Sequence, residues 1–362
     1  MNTTAAHNNR IQWIDAMRGV TMILVVFSHV QVSSLGMTQS IVNNFFSMFR
    51  MPLFFFVSGF IAFRPKLWNW GEYGRQIGHK IRVQLLPMMF FGLLYAAVVF
   101  THKYHCSIPI AFKCFLMDRT HLGYWFTEAL LLMFAIYYTI ELMFRNRPNS
   151  VPWIMAGVAG VCYLLSLPGV HFYSQWVLTR ALSLQQMLLY FQFFVIGNIF
   201  ARHQAELLPK LQIKAVCWGI VCVFVLLFLA YRGMAEMNLH SAVYKVVNKV
   251  LLECVRLFGM ASMVALFCKY KTAFASNRGF GRSIQFVGRR TLDIYLMHFF
   301  LLPLVKVAGN WLDFDVNVVV LTLFCFVVAI AISAICLGVG QLVRCWPMLA
   351  HIILGAKLPE KS

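Results

Sequence analysis

Eleven positions separate Arg18 from His29 in the first apolar stretch of the chain. At about 100° per residue, that spacing is three helical turns plus about 20°, so the two side chains share a face roughly 16 Å apart along the axis. A cation at the edge of an apolar layer and an imidazole deep within it make a stripe suited to an elongated anionic ligand. Asp15, three residues before Arg18, can pair with it on the same helix. Ionisable groups inside an apolar layer are costly, which makes each a candidate for function. Each also has a plainer role. Arg18 can snorkel and set orientation, and His29 can satisfy a bond between helices. Their common face favours the functional role.

Other apolar stretches carry similar residues. Arg50 opens the run Arg50-Met51-Pro52-Leu53-Phe54-Phe55-Phe56-Val57-Ser58-Gly59-Phe60. Pro52 invites a kink, Ser58 and Gly59 permit close helix approach, and Arg50 can pair with Glu128 or Glu253. Arg75, Lys80 and Arg82 precede Leu85-Leu86-Pro87. That basic stretch can hold phosphates or only mark membrane orientation. His121-Leu122-Gly123-Tyr124-Trp125-Phe126-Thr127-Glu128 brings aromatics to an interface and a carboxylate one turn into the layer. Glu128 can orient a histidine or neutralise Arg50. Glu253 and Arg256 suit an internal ion pair. In Thr291-Leu292-Asp293-Ile294-Tyr295-Leu296-Met297-His298, His298 is a second in-layer imidazole, for packing or for substrate contact. Lys306 is expected to snorkel.

The elements that hold these residues are membrane helices. Of 362 residues, 60% are hydrophobic and 12% charged, against about 25% charged in soluble domains. Mean hydropathy is +0.73. Soluble, disordered and fibrous classes are excluded. Ten stretches are long enough to span a bilayer: 15–35, 40–63, 83–101, 123–144, 152–169, 184–201, 215–231, 250–268, 291–308 and 317–343. The expected fold is an all-α polytopic integral membrane protein of about ten transmembrane helices, forming one membrane-embedded domain over 1–362 with no separate soluble domain. The first helix lacks a good cleavage site and is expected to be retained.

Net charge is +19. Counted over alternate loops, 21 Lys and Arg fall in one set and seven in the other, so both termini are expected in the cytoplasm. The charge needs no nucleic-acid partner. Ten cysteines include no CxxC. Cys106 and Cys114 share the loop 102–122 with His102, His105 and His121. A disulfide fits there if the loop is extracytoplasmic. No metal-ligand spacing occurs, so no metal is expected. No motif for nucleotide hydrolysis, hydride transfer or zinc proteolysis is present.

Together the polar segments resemble the acyltransferase-3 family of bacterial inner-membrane proteins. Arg18 to His29 matches its R-x10-H pattern, and Asp15-Ala16-Met17-Arg18-Gly19 its opening Asp-x-x-Arg-Gly. Pro52 to Phe60 resembles its second-helix signature. His121 to Phe126 is similar to its His-x-Trp-Phe segment with one extra residue, and Thr291 to His298 to its Ser/Thr-x-x-Ile-Tyr-x-x-His. The resemblance covers Ile11 to His298. The basic pair before the third helix is spaced differently here, with Lys80 and Arg82 nearest the Leu-Pro step.

The resemblance implies a membrane-bound O-acetyltransferase of the bacterial cytoplasmic (inner) membrane that modifies polysaccharide. Its donor is cytoplasmic acyl-CoA, acetyl-CoA in the first instance. Its acceptor is a hydroxyl of a carbohydrate or lipid-linked glycan on the outer face. It implies His29 as catalytic histidine, with Arg18, Asp15 and Glu128 in the catalytic group. Arg50, Trp125, Tyr295 and His298 are implied to meet substrate, and Arg75, Lys80 and Arg82 the CoA phosphates. No tightly bound cofactor is expected, and membrane lipids are partners. The chemistry is apt, because a hydroxyl attacking a thioester needs a base and neutral imidazole serves near neutral pH. An acyl-histidine is the other route. A secondary transporter or flippase for a lipid-linked sugar would use the same buried charges, and a non-catalytic scaffold would tolerate their loss.

Overall fold

The computed structural model describes residues 11–37, 40–64, 68–118, 123–237, 241–276, 278–309 and 318–356. Helices make up nearly all of it, and no strand occurs among the described residues. The main helices are α1 (Gln12–His29), α2 (Ile41–Ala62), α3 (Trp70–Tyr104), α4 (Trp125–Met143), α5 (Val151–Ser166), α6 (Leu184–Arg202), α7 (Lys214–Met237), α8 (Ala242–Lys269), α9 (Gly279–Arg289), α10 (Thr291–Gly309), α11 (Val318–Arg344) and α12 (Pro347–Leu354). Nine helices among the described residues are long and apolar enough to cross a membrane. The expected tenth stretch, 291–308, is α10.

The sequence explains several of these elements. On α11, Val319, Leu323, Val327 and Ile330 are exposed, while Cys325, Ala329, Ile332, Cys336 and Gly340 are buried. Both sets repeat at helical spacing, and the exposed set is wholly apolar, as a lipid-facing stripe requires. The first half of α10 is enclosed by neighbours, with Ile294, Leu296 and His298 fully buried. That burial lets a membrane helix carry Asp293 and His298 without presenting them to lipid.

Two expectations change. The basic stretch at 75–82 does not precede the third helix but belongs to it, because α3 runs unbroken from an Asn69 cap that accepts the Glu72 N–H at 2.8 Å. It widens into π turns at Ile81–Leu85 and Ala96–Phe100. Pro87 lacks the N–H that would bond back to Val83, which accounts for the wide turn just before it. The expected loop 102–122 contains the short apolar helix Ile108–Met117. Cys106 and Cys114 are free thiols in the structure, and His121 lies outside the described residues.

Two crossings without side chains between them set the helix positions. A Cβ on Gly59 would lie 1.8 Å from the Phe194 carbonyl oxygen, and one on Gly197 would lie 1.9 Å from that of Phe56, so α2 and α6 touch backbone to backbone. A Cβ on Gly19 would lie 2.1 Å from the Ile284 oxygen, and one on Gly288 would lie 1.7 Å from that of Asp15, which locks α1 to α9. In lipid, where apolar burial drives little association, such close packing holds helices together. Two apolar clusters form around these crossings. One is centred on α2, α4, α5 and α6, the other on α1, α3, α10 and α11. A cavity draws its walls from both.

Candidate functional site

The cavity has a volume of about 560 Å³. Among the described residues its walls carry six cations, Arg18, Arg50, Lys80, Arg289, Arg290 and Arg344, against one carboxylate, Asp293. A cleft lined so heavily by one sign of charge in low-dielectric walls concentrates anions. His29 lies on the same wall as Arg18, as their spacing on α1 predicts. One space therefore connects the cationic region to the imidazole.

Four of these cations are held by identifiable contacts. Arg18 Nη2 donates to Thr291 Oγ1 at 2.9 Å, and its Nη1 lies 4.0 Å from Asp15 Oδ1. It thereby ties the start of α1 to the start of α10. The α1–α9 glycine crossing brings Arg289 and Arg290, the last residues before α10, to the same region. Lys80 Nζ lies 3.5 Å from the centre of the Phe134 ring, a cation–π contact that fixes its long side chain. Arg344 makes a two-toothed pair with Asp293, at 2.6 and 2.9 Å, and Gly340 leaves room for it. Arg50 Nη1 donates to Asn43 Oδ1 at 3.0 Å, and it lines the same cavity as His29.

Around His29 the surfaces are aromatic. Its ring centre lies 5.0 Å from that of Phe299 and 5.2 Å from that of His298. Trp125 lines the cavity and stacks on Tyr190, which stacks on Phe55, with centres 5.9 and 5.2 Å apart. Tyr295 lines the cavity, and its hydroxyl donates to the Gly123 carbonyl at 3.1 Å and accepts the Phe126 N–H at 3.2 Å. Tyr124 donates to the Leu296 carbonyl at 2.9 Å. These bonds pin the start of α4 to α10. Gly123 is left-handed, with φ of +81°, and a Cβ there would strike the Phe299 ring.

The chain matches the family described as acyltransferase domain over residues 11–338. It belongs to this acyltransferase family. It is also similar to two proteins named Nodulation protein NolL. One, from Sinorhizobium fredii, is 27% identical over 61% of this chain and 58% of its own length. The other, from Mesorhizobium japonicum, is 22% identical over 97% of this chain and 92% of its own length. The match therefore spans little more than half of the first relative. No solved structure matches the chain.

In this membrane acyltransferase, the cavity wall gathers six residues singled out from the sequence: Arg18, His29, Arg50, Lys80, Trp125 and Tyr295. Five others stand off it. Asp15 lies behind Arg18. Glu128, on α4, accepts a hydrogen bond from the buried Ser183 at 3.0 Å, bracing α4 against the start of α6. Neither carboxylate neighbours the His29 ring. Arg75 is exposed and paired with Glu72. Arg82 points a guanidinium nitrogen toward His79 at 3.5 Å, one turn away on the outer side of α3. His298 is fully buried behind His29 and does not face the cavity. Glu253 pairs with Arg256 at 3.2 Å and accepts from Gln192 at 2.8 Å, so it is not the partner of Arg50.

The sequence reading missed Arg289, Arg290, Asp293 and Arg344. The first two counted only as loop charge, although Arg290-Thr291 abuts the α10 segment that carries the motif. Asp293 lay inside that segment, and its partner is 51 residues away, with no local signal. Removing one member of a buried pair strands the other, at about 3–5 kcal/mol, while replacing both with apolar groups is milder. Asp293→Ala is thus expected to lower the thermal midpoint in detergent far more than the double variant Asp293→Ala, Arg344→Met.

Proposed function

We propose that this protein transfers an acyl group, acetyl in the first instance, from acyl-CoA to a hydroxyl of a carbohydrate or lipid-linked glycan. The cation-lined end of the cavity faces the cytoplasm of a bacterial inner membrane, and the acceptor approaches from the opposite side. The whole chain acts as one membrane-embedded acyltransferase domain. The observation that carries this reading is the single cavity that joins Arg18, Lys80, Arg289, Arg290 and Arg344 to His29. Family membership supports acyl transfer, and the charge of the walls supports a polyanionic donor.

The residues then take distinct roles. Arg289, Arg290, Arg18 and Lys80 receive the phosphates of CoA, for which guanidinium forks are well shaped. The arm of the donor runs along the α1 stripe for about 16 Å, bringing the thioester to His29. His29 accepts the proton of the acceptor hydroxyl as its oxygen bonds to the carbonyl carbon. Negative charge gathers on the carbonyl oxygen, and Arg50 is the nearby cation available to stabilise it. The carbon–sulfur bond then breaks, and the thiolate takes the proton from His29. Trp125 and Tyr295 offer ring faces on which a sugar can lie. In the alternative route His29 attacks the thioester itself and carries the acyl group to the hydroxyl.

The test uses purified full-length protein, radiolabelled acetyl-CoA and membranes that present their own glycans. Label moving into the glycan supports the reading, and a labelled protein adduct after rapid quenching assigns the acyl-histidine route. Glycan movement across vesicles without acyl-CoA, and no thioester consumption, would overturn it in favour of transport.

The phosphate-binding role has its own test. Hydrogen bonds to charged groups contribute about 1.5–3 kcal/mol, which is roughly 10-fold to 100-fold in affinity. Arg289→Gln and Arg290→Gln should each raise KM for acetyl-CoA by about that factor with kcat little changed. A KM that stays constant would remove these residues from the donor site.

A further inference from the structure

His298 is fully buried, and its two ring nitrogens have opposite fates. Nδ1 lies 2.9 Å from the carbonyl oxygen of Ile294, one turn back on α10. A carbonyl oxygen only accepts, so Nδ1 carries the proton and Nε2 carries the lone pair. Nε2 is buried and has no hydrogen-bond partner among the described residues. A buried acceptor left bare costs free energy and calls for an explanation, because a phenyl ring would fill the space without that cost. His298 also does not line the cavity. The other imidazole nearby is His29, whose ring centre is 5.2 Å away with the ring planes inclined at 44°. Phe299 touches both rings, at 4.0 and 5.0 Å. His29 makes these ring contacts and no hydrogen bond among the described residues.

We propose that His298 is the positioning residue for His29, its bare Nε2 accepting the N–H of His29 that points away from the cavity. This rests on the acyl-transfer reading above. Neutral imidazole has one N–H and one lone pair, and the hydrogen bond made by one nitrogen decides the state of the other. An acceptor-only group behind His29 selects the tautomer with its N–H directed backward. The lone pair then faces the cavity, where a hydroxyl proton must be received. When His29 takes that proton, its backward N–H belongs to a cation and the bond to His298 strengthens. The proton leaves again for the thiolate of CoA, and His298 gains none. The position is the one a carboxylate holds in a Ser-His-Asp triad, but the group is uncharged, so it does not offset the charge of Arg50. Bonds of this kind are often long without substrate and tighten in the reacting complex.

Two near-isosteric variants separate the proposal from a packing role. Asn in place of His298 keeps a donor at the Nδ1 position, facing Ile294, and removes the acceptor. Gln can present an acceptor oxygen at the Nε2 position. Both are assayed in full-length protein with radiolabelled acetyl-CoA and glycan-bearing membranes, at equal amounts of monodisperse protein. His298→Gln should keep kcat within about tenfold of wild type. His298→Asn should lose about 100-fold or more in kcat, the scale of a general base left misdirected, with KM for acetyl-CoA within about threefold. Asn performing as well as Gln or better, or both variants being folded and inactive, or both being fully active, would overturn the proposal. Retained transfer by His29→Ala would instead overturn the acyl-transfer chemistry assigned to His29, whatever the His298 variants do.

Discussion

Replacing His29 with alanine is expected to cut acyl transfer by about 10²-fold to 10⁴-fold, the range lost when a positioned acid–base group is removed. The protein should still fold. His29 is only partly buried and makes ring contacts with His298 and Phe299, and among the described residues its side chain makes no ion pair or hydrogen bond in the resting structure. The two glycine crossings and the Asp293–Arg344 pair are untouched. Donor affinity should also survive, because the cations assigned to CoA lie toward the other end of α1. The measurement is therefore a split: KM for acetyl-CoA within a few-fold of wild type, kcat nearly abolished, and an unchanged thermal midpoint in detergent. Transfer at near wild-type rate in a monodisperse His29→Ala protein would remove the imidazole from the chemistry. A collapse in thermal stability would make its role structural.

The sequence reveals those parts of this site that are local in the chain. The Arg18–His29 stripe follows from helical periodicity, and both residues do reach one wall. Lys80 and Arg82 are two residues apart, yet only Lys80 faces the cavity. On a helix that spacing turns them well away from each other. That divergence follows only once the stretch lies within a helix, as it does in Trp70–Tyr104. The carboxylates differ. Asp15 pairs with Arg18 as its spacing predicts, whereas Glu128 accepts a bond from Ser183, 55 residues away, which no local spacing indicates. What stands behind His29 is His298, 269 residues away, and nothing in local spacing predicts that two distant imidazoles will touch. Arg344 illustrates the same limit. At the end of α11 it reads as one more orientation-setting cation, and only its long-range bond to Asp293 makes it part of the wall. The apolar stretches behind the nine helices that, among the described residues, are long and apolar enough to cross a membrane were legible because hydropathy is a local property, and helix partners were not.

Gly288→Ala should be the most damaging small substitution outside the chemistry. A Cβ at Gly288 would lie 1.7 Å from the Asp15 carbonyl oxygen and 3.1 Å from the Gly19 nitrogen. Both are backbone atoms and cannot rotate away, so α9 must retreat from α1. Forcing volume into a tight contact costs about 1–3 kcal/mol and sometimes more, and a backbone clash belongs at the upper end. The displacement is amplified functionally, because Arg289, Arg290 and Thr291 follow directly. The 2.9 Å bond from Arg18 to Thr291 spans this gap and should break. The expected result is a lower thermal midpoint in detergent together with a raised KM for acetyl-CoA. Gly160→Ala is the matched control, since a Cβ there meets nothing within 4 Å. Alanine favours a helix over glycine by about 1 kcal/mol, so the control should hold or slightly raise the midpoint. Equal behaviour of the two variants would mean that α1 and α9 are not held by this contact, and that the cations beside it owe their placement to something else.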